Sequence, residues 1–250
     1  MKSLNRIRVL TGRNLREILR DPLSLIFLLG MPGAMLILFW LIFHQMTAQF
    51  EMQYLAPGIV VFGQSFLSLF AGLLISLDRG TSFLTRLYVT PTKSHEFILG
   101  YLIALLPLGI LQSVIFFVIA GILDPSFWSV RLLLGIPAGL LTAFFFICLG
   151  ILFGSVCNEK SIGGVSSILV AGQSVLSGMW FPLDGLSSGF LTFMNALPFR
   201  NGTLWMQNVL SGNAENAWNS LWRPFTVLLC YTLAAFVLSV LCFYRKMRKQ

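Results

Sequence analysis

Stretches of more than twenty residues pass in this chain without one Asp, Glu, Lys or Arg, and charged residues make up only 10% of its 250 positions. Soluble domains carry roughly 25%. With 56% hydrophobic residues and a mean hydropathy of +0.83, the sequence falls outside the soluble class and reads as an integral membrane protein. Other absences narrow the chemistry. There is no His-Glu-x-x-His and no cysteine pair at metal-binding spacing, so no metal is expected. Cys148, Cys157, Cys230 and Cys242 lie within or beside apolar runs, where cysteine behaves as a small apolar side chain, and no disulfide is expected. No Gly-x-x-x-x-Gly-Lys-Ser/Thr occurs, so the chain cannot cradle a nucleotide phosphate and no cofactor is assigned to it. Ser174 lacks a Gly-x-Ser-x-Gly context and neither His44 nor His95 lies within a span, which argues against a membrane-embedded serine hydrolase. Ion-coupled carriers usually keep an ionisable residue inside a span, and here every such residue sits at a span boundary or in a loop. A carrier and a membrane enzyme therefore stand as alternatives of another class.

What remains is apolar and long. The uncharged runs 22–50, 52–77, 97–123, 132–158, 161–183 and 224–244 each meet the roughly 20 residues that a hydrocarbon core demands. They predict six spans, at 23–43, 55–77, 97–123, 132–157, 162–181 and 224–244. Two further runs, 185–199 and 201–214, are too short to cross. Alternating ten-residue strands are absent, which disfavours a barrel. With six spans both termini share one side. That side collects six Lys/Arg from the N-terminal segment, three from the 78–96 loop, one from the 158–161 loop and four from the tail, against Arg131, Arg200 and Arg223 opposite. The bias places both termini in the cytoplasm and assigns the net charge of +8 to topology and anionic lipid rather than nucleic acid.

Residues 1–21 form a basic amphipathic pattern. Leu4, Ile7, Thr11, Leu15 and Ile18 share one helical face, and Lys2, Arg6, Arg13, Arg16 and Arg20 share the other. Such a helix lies in the membrane interface, each basic residue contributing about 1 kcal/mol through anionic headgroups. The simpler reading makes these residues orientation charges only. Asp21-Pro22 separates this segment from the first span.

The loop LDRGTSFLTRLYVTPTKSHEF, residues 77–97, is the longest polar interruption between the N-terminal segment and the tail. It is longer than a turn between helices needs. Thr81 or Ser82 can cap a short helix, Phe83, Leu84 and Leu87 give it an apolar face, and Thr90-Pro91 stops it. That face either meets a partner or dips into the headgroups.

Taken in order, these features resemble the membrane-spanning permease subunit of ATP-binding-cassette exporters of the second type. The likeness covers the whole chain: an N-terminal interfacial helix ending in Arg20-Asp21-Pro22, then Asp78, Gly80-Thr81, Arg86-Leu87 and Thr90-Pro91 in the first cytoplasmic loop. Arg79 follows Asp78 where family members often carry an acidic run. The resemblance implies that Asp78, Gly80, Thr81, Phe83, Leu84, Arg86, Leu87, Thr90 and Pro91 belong to a coupling helix docked on a separate ATPase subunit. That subunit would hold ATP and Mg, and this chain would pair with a second copy or a homologous permease. It also implies short re-entrant helices within 182–223, where Phe181-Pro182-Leu183-Asp184 and Leu197-Pro198 fit the family pattern; two helices lying flat on the outer leaflet is the other reading.

The expected fold class is thus an all-α membrane protein with six transmembrane helices, an N-terminal interfacial helix and re-entrant helices between the fifth and sixth spans. Small and weakly polar residues line two spans: Ser65, Ser68 and Gly72 in the second, Ser166, Ser167, Ser174 and Ser177 beside Gln173 in the fifth. These stripes serve helix packing or a dimer contact, or else line a substrate path. Export is implied by the resemblance. The Phe-rich spans and lack of a large external domain favour a hydrophobic or amphipathic cargo such as a drug, antibiotic or lipid, with a polysaccharide or lipid-linked glycan as the alternative.

Overall fold

The computed structural model describes residues 3–80, 93–181, 183, 185–212 and 218–247. Among these there is no strand. The helices are α1 (Ser3–Leu19), α2 (Pro22–Phe43), α3 (Met52–Gly80), α4 (Ser94–Leu123), α5 (Leu132–Val156), α6 (Glu159–Leu176), α7 (Ser188–Ala196), α8 (Pro198–Ser211) and α9 (Arg223–Met247).

Local chemistry sets the boundaries. Asp21 accepts from the Ser24 amide at 3.2 Å and Pro22 occupies the first turn, so α2 starts directly after α1. Glu96 reaches back to the Lys93 amide at 3.0 Å to open α4. Asn158 caps α6 through the Ser161 amide at 2.9 Å. Gly212 ends α8 in the left-handed region at φ 67°, where a side chain would be strained.

Among the described residues five helices, α2, α3, α4, α5 and α9, are long and apolar enough to cross a membrane. The sequence-predicted fifth span corresponds to α6, which is not among them. It has 18 residues and opens on Glu159-Lys160, and those two charges and Gln173 lower its hydropathy. At 1.5 Å per residue it reaches about 27 Å. Its last residues are followed by a sharp turn at Gly178, φ 70°.

α3 is the central element, buried along most of its length, while α2 and α9 present most of their apolar side chains outward. Leu38, Leu41, Ile42, Val237 and Leu238 are all exposed, an apolar surface suited to lipid rather than water. The α3–α5 contact is backbone on backbone. A Cβ on Gly154 would stand 2.6 Å from the Gly72 carbonyl oxygen, and one on Gly150 would collide with the Ser68 backbone. Two GxxxG pairs, Gly135–Gly139 and Gly150–Gly154, both lie in packed contacts. Nearby, Gln64 donates to the Gly139 carbonyl at 3.0 Å and accepts from Thr142, and Gln112 donates at 3.0 Å to the carbonyls of both Leu28 and Gly63. These amides tie α2, α3, α4 and α5 together.

Gly150→Val is expected to destabilise the bundle by about 1–3 kcal/mol through overpacking. A lowered thermal midpoint of the detergent-solubilised protein would register it. Gly163→Ala, where a Cβ meets nothing within 4 Å, should not lower that midpoint.

Candidate functional site

α1 crosses the end of the bundle where α3 stops and α4 begins. It lies hard against α4: a Cβ on Gly100 would stand 2.8 Å from Leu10 Cβ. Leu10, Asn14 and Ile18 are its buried residues, and Leu4, on the apolar face of the helical wheel, is 81% exposed. The basic residues are split rather than grouped. Arg16 and Arg20 are exposed, as an interfacial helix requires. Arg6 and Arg13, which the helical wheel places beside them facing the headgroups, turn inward to carboxylates instead.

Arg13 forms a two-nitrogen fork on Asp78, one arm at 2.5 Å. Its Nη2 also lies 2.8 Å from Glu17 Oε2. Asp78 is 3% exposed, and Tyr101 Oη donates to its Oδ2. Burial works against the Arg13 charge, but the hydrogen bond and charge of Asp78, helped by Glu17, outweigh it and hold the guanidinium above its ordinary pKa. Arg6 Nη1 reaches Glu96 Oε2 at 3.4 Å, so a second pair fastens α1 to the start of α4. Sequence reasoning put Asp78 at the start of a polar loop; the helix runs on through Gly80 and buries it.

Arg79 turns the other way. Its Nη1 donates to the carbonyls of Gly154 at 2.6 Å and Cys157 at 2.9 Å, at the C-terminus of α5, where a cation complements the helix dipole. Gly80 follows, with Glu159 of α6 close by. The residues that lead into the loop are therefore bound to α1, α4 and α5 at once. Thr81, Phe83, Leu84, Arg86, Leu87, Thr90 and Pro91 lie outside the described residues.

Comparison with known families bears on what such an anchored loop serves: residues 5–213 match the model of the ABC-2 type transporter, from α1 through α8. The chain belongs to the ABC-2 type transporter family. No curated protein matches the sequence closely enough to count as a relative. The ABC-2 type domain is the membrane-spanning permease part of an ABC transporter and is not itself an ATPase domain. It is a multi-pass membrane protein.

Within this ABC-2 type permease the two stripes of small residues do not form one open face. Ser65, Ser68 and Gly72 are turned into the bundle against α5 and α6, because α3 is surrounded. Ser166, Gln173 and Ser177 are buried too, with Gln173 Nε2 donating to Thr203 Oγ1 at 3.4 Å. Ser167 is exposed and Ser174 half-buried. Of these residues, those on α3 serve helix packing.

Tyr101 and Glu96 were missed as members of the site. Glu96 had a signal, since Asp78 and Glu96 are the acidic residues that bracket a loop beside a strongly basic segment. Tyr101 had none.

Arg13→Ala removes the guanidinium fork from the buried Asp78 carboxylate while the Tyr101 hydrogen bond stays. We expect a loss of about 2 kcal/mol in α1 docking, below the 3–5 kcal/mol typical of fully buried pairs, since the Arg13 side chain is 31% exposed. Hydrogen exchange across 3–19 should rise. Adding Asp78→Asn should restore much of the protection; unchanged exchange in the single variant would refute the clamp.

Proposed function

We infer that the chain is the permease subunit of an ATP-driven exporter, worked by an ATPase subunit that binds ATP and Mg and docks on residues 78–91. The observation that carries this reading is the anchorage of the loop base. Asp78 and Arg79 join it to α1, α4 and α5, so a push on the loop is delivered to three elements rather than absorbed by one. In this reading Phe83, Leu84 and Leu87 supply apolar docking contacts and Arg86 a charged one, with Thr81 and Thr90-Pro91 bounding the helix. None of them is a catalytic residue.

In the proposed topology α6 completes six crossings, so that both termini lie in the cytoplasm of a prokaryotic cell. α7 and α8 form a re-entrant pair on the outer side. Two copies pair across α6, whose outward residues Ser161, Gly164, Ser167 and Ala171 fall on one exposed helical face. Small residues let helices approach closely in lipid, where apolar burial alone gives no drive. The cargo is a hydrophobic or amphipathic compound, a drug, antibiotic or lipid-like molecule. A groove of about 610 Å3 supports this, lined by Phe145, Phe153, Leu169, Phe199 and Tyr231.

The test pairs this chain with its ATPase in proteoliposomes. Phe83→Asp with Leu87→Asp should lower transport-coupled ATP hydrolysis at least tenfold, by desolvation and charge at an apolar contact, while membrane insertion is unchanged. Full coupling in that variant would remove residues 78–91 from the docking site. Transport driven by an ion gradient without the ATPase would remove the exporter reading altogether.

A further inference from the structure

At the end of the bundle opposite Asp78, the α2–α3 connection, the turn after α6 and the start of α8 enclose a cavity of about 300 Å3. Gln49, Tyr54, Gly178, Arg200 and Gln207 line it, and Arg200 is the one cation among its lining residues. The Arg200 side chain is half-buried, and its Nε donates to Asn195 Oδ1 at 2.6 Å. Among the described residues no carboxylate lies within 4 Å of the guanidinium. Burial without such a partner pulls its pKa below that of a free arginine, the reverse of Arg13. It stays charged nonetheless, because a guanidinium is not deprotonated in proteins.

The position of this cation is fixed. Gly178 turns at φ 70°, and a Cβ there would stand 2.8 Å from Arg200 Nη1, so the turn passes flat against the guanidinium as only glycine allows. Asn195 holds Nε, which leaves the Nη donors without a protein acceptor among the described residues. Arg200 also sits in the first turn of α8, where unpaired amides add positive potential. Across the cavity, Gln49 Nε2 donates to the Phe181 carbonyl at 2.8 Å, while its Oε1 is buried with no donor. A half-buried cation with no carboxylate partner among the described residues thus lines the pocket, next to a glutamine whose buried amide oxygen has no donor. Each is costly to leave unmet.

We propose that this cavity binds the anionic head, phosphate or carboxylate, of an amphipathic molecule. The Arg200 fork takes two oxygens of the anion. Met179, Leu183 and Leu204, the apolar part of the lining, receive the first carbons of the tail. The occupant is either a lipid of the surrounding membrane or a free amphiphile, and both offer the same chemistry. This site goes beyond the exporter reading and needs no ATPase, so its failure would leave that reading standing.

The experiment titrates dodecyl phosphate into the purified full-length chain in maltoside micelles and follows tryptophan fluorescence. Saturable binding is expected, weakened at least tenfold by Arg200→Gln and about threefold by Arg200→Lys, which keeps the charge but loses the fork. Arg131→Gln, at the same end but outside the cavity, should bind as the parent does. Leu183→Trp, which fills the chamber and leaves Arg200 in place, should also abolish binding and covers the case in which the Arg200 variant misfolds. Unaltered affinity in Arg200→Gln and Leu183→Trp, or equal weakening by Arg131→Gln, would overturn the site. Inorganic phosphate competing at equal concentration would overturn its amphipathic part. In nanodiscs of mixed phosphatidylglycerol and phosphatidylcholine, loss of retained phosphatidylglycerol in Arg200→Gln marks a membrane lipid as the occupant. Unchanged retention beside lost dodecyl phosphate binding marks a free amphiphile.

Discussion

Inside a bilayer an apolar side chain gains nothing by leaving lipid for protein, so α3 can be held at the centre only by contacts that acyl chains cannot make. The close approach of α3 and α5 is such a contact. Gly72, Gly150 and Gly154 bring the two backbones within reach of each other, and no lipid tail could fill the same gap. Gln64, Thr142 and Gln112 then add hydrogen bonds that lipid cannot offer in exchange. The other helices are arranged around this pair, with α2 and α9 left at the periphery to meet lipid.

A central helix fixed in this way joins the two ends of the bundle. Its 29 residues correspond to about 44 Å, so one end lies beside Arg13 while the other carries Tyr54 into the opposite cavity. α5 grips its middle, and at the far end, beyond Pro57, α3 also contacts α8. The packing that stabilises the bundle thus also links its two ends, as the proposed nucleotide-driven permease requires.

The membrane class and the all-helical architecture were legible because the hydrocarbon layer imposes a crude rule, a long run without charge, and the chain obeys it for α2, α4 and α5. α6 was harder to read. An uncharged run begins after Lys160, whereas the helix opens on Glu159-Lys160 and stops at Leu176, so those two charges and Gln173 take it below what a span by hydropathy needs. The helical wheel of α1 failed for a different reason. It sorts residues by chemical type, sends Arg6, Arg13, Arg16 and Arg20 outward together, and cannot see that the carboxylates awaiting Arg13 and Arg6 lie 65 and 90 residues away. The small-residue stripe of α3 was legible as a packing surface, but which neighbour it packs on depends on α3 being surrounded, a tertiary fact.

The two ends of the bundle treat buried arginine in opposite ways, and the contrast follows from what each end has to do. At the Asp78 end the charge of Arg13 is matched inside the protein by Asp78 and Glu17, so α1 is fastened to α3. A guanidinium already occupied by two carboxylates is a poor receptor for anything else. At the other end Arg200 is oriented by Asn195 and confined by the Gly178 turn, yet none of the described residues offers it a carboxylate. Solvent alone could satisfy an exposed arginine, but one half-buried against a glycine turn gives up part of that solvation without a protein charge in return. In the proposed site an anion from outside the chain supplies that charge, so a matched charge fastens one end of α3 while a half-buried arginine at the other receives a ligand.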